Sequence, residues 1–241
     1  NGLLAALLAR GGFTGNPEII DTDQGFALTH GVAEVDGGRL ERLRGRFLIT
    51  DTLFKYHASC YLTHAAIEAA SQLRADGGFA TAAIKSVEIR ASTGCVGVCD
   101  IADPRTGLEG KFSLRATTAM ALLGDDTSDP ASFNDERMVD AEFRALLDRV
   151  MFTPMGNLAA TRASVVVRAG GRQFQAEADT GRPAEDLDRQ WDLLSAKFKG
   201  LAAPVLGHER TDALHHALLR IEDARSMCEI TVLARGTEVA S

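Results

Sequence analysis

The sequence is poor in the features that mark several large classes of protein. It has no block of consecutive basic residues, its net charge is −7 and its pI is near 5.4. A nucleic-acid or anionic-membrane surface is therefore disfavoured, and any anion the chain binds must be met by local cations. Its longest apolar run, LLAALLA at Leu3–Ala9, falls far short of the roughly 20 residues that span a bilayer, and no basic segment before it or cleavage site after it marks a targeting signal. Four cysteines in 241 residues do not make a disulfide framework, so a reducing, cytoplasmic setting is expected. Cys95 and Cys99 (CVGVC) have half of a zinc spacing, but no second Cys or His pair follows at a matching interval, so structural thiols and no metal are expected. Internal repeats and low-complexity tracts are missing too. The chain opens on Asn1, already inside a helical pattern, and further sequence upstream is expected.

A hydrophobic fraction of 45% is enough to bury a core in one large domain or two modest ones. Asn1 is placed to cap a short helix, GLLAALLAR, that stops at Gly11 and Gly12. Asn16 and Pro17 are a second start signal, for a brief helix. Residues 21–45 read as loop with one helical turn around Leu40, and RFLITDTLF (46–54) mixes β-branched and aromatic residues as a strand would. A helix is expected from Ser59 to Leu73, then a half-buried strand in AAIKSVEIRAS (82–92). GVCDIADPRTG (97–107) reads as loop, KFSLRATTAMALLG as a helix ended by Gly124, and DAEFRALLDRV as a helix opened by Asp140 with Phe143, Leu146, Leu147 and Val150 on one face. RASVVVRAGGRQFQAEAD (162–179) is the clearest hairpin, turning at Gly170 and Gly171. Helices from Asp186 to Leu201 and from His208 to Ile221, parted at Pro204, close the chain. Helices at both ends with strands between them indicate an α+β fold, a small mixed lid inserted between pieces of a helical unit.

Several stretches in order resemble one family. GLLAALLARGGFTG is similar to a helix and Gly-Phe-Thr-Gly turn of the MmgE/PrpD proteins, and KYHASCYLTHAAIEAA (55–70) to their Lys-Pro-Tyr-Pro-Ser-Cys segment with Thr-His a few residues on. EGKFSLRATTAMALLG resembles their Lys-Phe-Ser helix, and AKFKGLAAPVLG their Lys-Phe-x-x-Leu-Ala stretch near the C-terminus. The resemblance covers most of the chain and implies the C-terminal half of such a protein. Residues 1–45 would be the end of the helical domain and its linker, 46–200 the α+β lid, and 201–241 helices returning to the helical domain. It also implies cofactor-independent lyase or isomerase chemistry on a small di- or tricarboxylate, as in 2-methylcitrate dehydratase, cis-aconitate decarboxylase and iminodisuccinate epimerase. The partners implied are an upstream helical domain, which carries the catalytic acid, and a second copy in a homodimer. With its active site in the cleft between the two domains, this chain alone is expected to be inactive.

Proton abstraction beside a carboxylate needs cations to hold the polyanion and a base near the reacting carbon. Lys55 lies just ahead of an expected helix start, where a cation is unfavourable unless an anion sits between them. The sequence therefore suggests an anion clamp made of the Lys55 ammonium and the N–H groups of residues 60–62. His64, with a pKa range suited to proton shuttling, is the candidate catalytic partner of Lys55; a packed histidine is the alternative. Ser59, Cys60, Lys111 and Ser113 are further candidates for substrate contact, each with a structural alternative. His57 and Ala58 depart from the family's aromatic residue and proline, and Ala116 stands where many relatives carry tyrosine, which also leaves open a non-catalytic module that keeps the fold. His215 and His216 point about 100° apart on one helix and are expected to be structural.

Overall fold

The structure, a computed structural model, describes residues 1–20, 22–31, 38, 41, 44–45 and 47–236; the turn expected around Leu40 lies outside them, as does Arg46. The chain forms two compact units, Asn1–Thr50 and Asp51–Ser241. In the first, α1 (Gly2–Arg10) runs as expected and closes at Gly11, although Asn1 makes no side-chain cap. Asn16 and Pro17 open only a turn, in which Asn16 Oδ1 accepts from the Glu18 N–H at 3.0 Å. A short α2 (Phe26–Thr29) follows. The strand expected at 46–54 does not form: Leu48–Asp51 is a 3₁₀ turn, with Phe47 and Ile49 about three-quarters exposed. Strand propensity expresses fit to a pleated, half-buried surface, and among the described residues no strand pairs with this segment.

The second unit is built on a mixed four-stranded sheet of order β2-β1-β3-β4, with β1 Ile84–Ser92, β2 Val150–Met155, β3 Arg162–Ala169 and β4 Arg172–Asp179. β1 runs parallel to β2 and antiparallel to β3. The β3–β4 hairpin turns at Gly170 and Gly171, both at positive φ (57° and 77°), as a two-residue turn of this hand requires. Period-2 alternation puts Val87, Ile89 and Ala91 of β1 opposite Val167, Val165 and Ala163 of β3, all buried. The other face carries Glu88, Arg90 and Thr153, linked by hydrogen bonds. β2, unannounced by the sequence pattern, is an edge strand, which explains how Pro154 is accommodated within it.

Helices cover the buried face. The helix expected from Ser59 begins later: a 3₁₀ turn at Tyr61–Thr63 leads into α3 (His64–Ala75), whose buried Ala65, Ala66, Ile67, Ala69, Ala70 and Leu73 pack on β3, β4 and the later α5. A short α4 (Gly107–Gly110) starts at a Thr106/Glu109 capping box. In α5 (Leu114–Leu123), Ser113 Oγ accepts from the Ala116 N–H at 3.1 Å, and Gly124 ends the helix at φ 91°. α6 (Asp135–Val139) precedes α7 (Ala141–Leu147), capped by Asp140 as expected, with Phe143, Leu146 and Leu147 buried; Val150 belongs to β2 instead. α8 (Leu187–Leu206) runs through Pro204, which so near the end forfeits one hydrogen bond, and the break falls at Gly207 (φ 79°). α9 (His208–Leu218) and α10 (Met227–Leu233) complete the chain. Among the described residues no helix is long and apolar enough to cross a membrane.

Two glycines test this packing in opposite directions. A Cβ on Gly107 would sit 2.1 Å from the Phe133 carbonyl oxygen, a backbone atom, so G107A is expected to destabilise the fold by about 1–3 kcal/mol. A Cβ on Gly200, inside α8, meets nothing within 4 Å, so G200A is expected to stabilise by roughly 0.5–1 kcal/mol. Urea denaturation of both variants checks the signs.

Candidate functional site

Residues 52–60 run without regular structure between α3 and the loop after α5, and backbone hydrogen bonds hold them there: Ala58 N–H to Thr127 O at 2.8 Å and Cys60 N–H to Lys111 O at 2.9 Å. The second of these takes up one of the three amides, those of residues 60–62, expected to form an anion clamp with Lys55. The Cys60 N–H is spent inside the fold, and the helix it was to open starts three residues further on, at Thr63 and His64, which are 0% and 1% exposed.

The side-chain half of the expected clamp is Lys55. Lys55 is exposed, its carbonyl accepts from the Lys197 ammonium of α8, and its charge is felt at both Lys197 and His64. Neither lysine forms an ion pair among the described residues. Burial, and secondarily the Lys55 charge, push the Lys197 ammonium below its ordinary pKa. Two neighbouring cations without a counter-ion among the described residues give this region a positive potential.

Two cavities adjoin this cluster. The smaller, about 300 Å³, lies between the 52–56 segment, α3 and the end of β4, and is lined by His64, Glu68, Tyr56, Thr180 and Gln190 among others. The larger, about 530 Å³, lies between α3, α8 and the loop after α5, and is lined by His57, Glu68, Asp126, Arg189 and Lys197 among others. Tyr56 and Glu68 line both. Tyr56 OH accepts from Gln190 Nε2 at 3.2 Å and so ties α8 to the segment.

His64 stands at the start of α3 with Glu68 one turn on, hence on the same face. Burial first, then the charges of His57 and Lys55, lower the His64 pKa to about 4 against the opposing effect of a backbone hydrogen bond with Ser59. The imidazole is therefore neutral at physiological pH, and its buried Nε2 has no hydrogen-bond partner among the described residues. His57, edge-on to His64 at 4.9 Å between ring centres, is bonded through Nε2 to Glu68 Oε1 at 3.1 Å and through Nδ1 to Thr127 Oγ1 at 2.8 Å. That bond, more than any other influence, holds the Glu68 carboxyl below its ordinary pKa.

The structure thus gathers Lys55 and His64 around one region and leaves the other sequence candidates elsewhere. Ser59 is buried with its hydroxyl on Thr63 Oγ1 at 2.8 Å. Ser113 is fully buried, capping α5 and donating to Ile101 O at 2.6 Å. Lys111 lies over the Phe133 ring, 5.6 Å from its centre. Cys60 packs against the core beside Cys99, whose thiol is pushed up by its hydrogen bond with Cys95 and by burial. None of these four lines either cavity, and neither does Lys55; each of the four also makes the contacts given above within the fold. His215 is structural as expected, bonded to Ser195 Oγ at 3.1 Å. Among the described residues no group of three or more His, Cys, Asp or Glu is placed to hold a metal ion. Glu68, Thr127, Arg189 and Gln190 were missed by sequence reasoning. The one signal available for Glu68 was its i+4 spacing from His64.

A stability measurement tests the state of His64. Its folded pKa lies below that of the unfolded chain, so between about pH 6.5 and 4 the unfolded state binds more protons, and stability falls as pH falls through that window. The contribution lost is roughly 3 kcal/mol at most. Urea midpoints from pH 7 to 4.5 should drop steeply for the wild type and less steeply for H64Q; an unchanged slope would show that His64 is not the group responsible.

Comparison with curated proteins gives no match for this chain. Residues 57–222 match the family model described as MmgE/PrpD C-terminal domain. That match covers well over half of the sequence, and the chain accordingly belongs to the MmgE/PrpD family, of which it carries the C-terminal domain.

Proposed function

We propose that this chain is the C-terminal part of a cofactor-independent lyase or isomerase acting on a small di- or tricarboxylate. The observation that carries the reading is the conjunction of a neutral His64 imidazole, its Nε2 without a hydrogen-bond partner among the described residues, with the ammonium groups of Lys55 and Lys197, neither of which is in an ion pair among those residues. A substrate carboxylate docked between the two lysines relieves their mutual repulsion and gains charge-assisted hydrogen bonds. Negative charge that develops on the same carboxylate when the adjacent carbon loses its proton is stabilised by the same cations, which is where catalysis needs it. His64 Nε2 takes that proton, a transfer favoured by the imidazolium's proximity to the new anion. Ala116 is fully buried and adds no donor, so the protonation of a leaving group falls to another residue. In the same reading residues 46–200 are the lid, residues 1–45 and 201–241 belong with an upstream helical domain that supplies the opposite wall, and the whole works as a cytoplasmic homodimer.

The test is an assay of the chain alone and joined to its helical domain against 2-methylcitrate, cis-aconitate and iminodisuccinate. Turnover is expected only for the joined protein, with K55A lowering kcat/KM by about 10- to 100-fold, the loss of one charge-assisted contact. Turnover by the chain alone would refute the shared cleft, and full activity in K55A would refute the clamp.

A further inference from the structure

Glu68 is an odd neighbour for a site that accepts polyanions. It lines both cavities from the middle of α3, and its side chain is 46% exposed although His57 holds one of its oxygens. The hold is firm: His57 is only 13% exposed, is braced on its far side by Thr127, and keeps Oε1 at 3.1 Å. Oε2 has no hydrogen-bond partner among the described residues. The other carboxylates around the larger cavity, Asp126 and Asp129, line only that cavity and accept through Oδ1 within their own turns. Asp126 Oδ1 accepts from both the N–H and the hydroxyl of Ser128, at 2.9 and 2.6 Å, and Asp129 Oδ1 accepts from the Ala131 N–H at 2.8 Å. Opposite them on α8 stand Arg189 and Lys197, neither in an ion pair among the described residues. The cavity therefore has a cationic wall that attracts carboxylates and, between the two chambers, one fixed carboxylate with an unused oxygen.

We propose that Glu68, set in place by His57, is the specificity-determining residue of this site: it selects a polycarboxylate that also carries a hydroxyl or amino hydrogen-bond donor over one that carries carboxylates alone. The inference rests on the polycarboxylate reading above and adds the class of molecule chosen within it. A ligand carboxylate brought against Oε2 is repelled, whereas a ligand O–H or N–H there makes a charge-assisted hydrogen bond. A site built to receive a donor also discriminates strongly against an analogue lacking it, because its own acceptor is then left desolvated and unpaired. His57 is a positioning residue in this scheme, since both of its nitrogens are occupied within the protein.

Citrate and tricarballylate carry the same three carboxylates and differ only in one hydroxyl, so they are the probes. In titration calorimetry on the whole polypeptide at pH 7, citrate is expected to bind at least about tenfold more tightly than tricarballylate. E68A should bring the two within about threefold, chiefly by strengthening tricarballylate, and E68Q, which keeps the side chain's shape without its charge, carries the same expectation if E68A does not fold. The positioning role of His57 is read from pH dependence. The charged and titratable groups facing Glu68 are His57 from the 52–60 segment, His64 from α3, and Arg189 from α8, with Asp126 acting on it through His57. Losing the His57 bond returns the Glu68 carboxyl toward its ordinary range, so in H57N the citrate preference should begin to fall as pH drops from 6 to 5, roughly where a normal glutamate begins to protonate, while in the wild type it holds. Equal binding of the two acids by the wild type, or an unchanged ratio in both Glu68 variants, overturns the role of Glu68; a ratio in H57N that follows the wild type overturns that of His57. If neither acid binds the wild type, the polycarboxylate reading itself falls, and this inference with it.

Discussion

The site depends on one constraint: the threading of residues 52–60 through the fold by two backbone hydrogen bonds, Ala58 to Thr127 and Cys60 to Lys111. A segment with no regular structure has no ladder to satisfy its amides, so each buried N–H must find a partner in another element. Those partners lie in the loop after α5 and just before that helix. Once they are made, Tyr56 and His57 have little choice of direction: Tyr56 meets Gln190 on α8 and His57 meets Glu68 on α3. Lys55 is left outside, beside Lys197. A stretch without secondary structure thereby becomes the meeting point of α3, α8 and the loop after α5.

The same burial sets the electrostatics. Sealing the start of α3 removes His64 from water, and the nearby charges of His57 and Lys55 add to the cost of protonating it, so the ring stays neutral. Glu68, one turn further and more open, is also held below its ordinary pKa, by its bond to His57, and stays ionised. Two titratable groups on one helical face are thus held in one protonation state each, neutral and anionic, by environments a single turn apart. Groups separated in this manner can take distinct parts in acid–base chemistry.

Local rules were readable where the sequence states them locally. The β3–β4 hairpin with its paired glycines, α5 between Ser113 and Gly124, and α7 behind Asp140 all follow from caps, turns and periodicity within a dozen residues. The failures have a common origin in contacts distant along the chain. Phe47, Ile49 and Phe54 look like a strand, but no strand edge pairs with them. The start of α3 was placed too early because nothing in KYHASCYLTH reveals that the Cys60 amide is claimed by Lys111, fifty-one residues on. Pro204 looked like a helix end, yet so close to a glycine at positive φ its cost is small. The site was half legible: Lys55 and His64 stand out by chemistry and position, whereas Glu68 acquires its meaning only from His57 and from cavities the sequence does not display.

The wall that α8 contributes is held differently from the rest. Not one of its twenty residues is buried, and Leu187, Trp191, Leu193, Leu201 and Val205 remain exposed. Its ties to the 52–60 segment are polar: Gln190 to the Tyr56 hydroxyl and the Lys197 ammonium to the Lys55 carbonyl. Polar ties at a half-exposed surface contribute little net stability, because each replaces a hydrogen bond to water. The cationic wall is therefore the softer side of the larger cavity, and α3, packed on the sheet through four buried alanines with Ile67 and Leu73, is the rigid one. On the proposed reading, an anion between them would add attraction to Lys197 and Arg189 at the place where the protein's own contacts are weakest. Binding energy would then be spent partly on fixing α8, which couples how tightly a carboxylate is held to how closely the cations approach it.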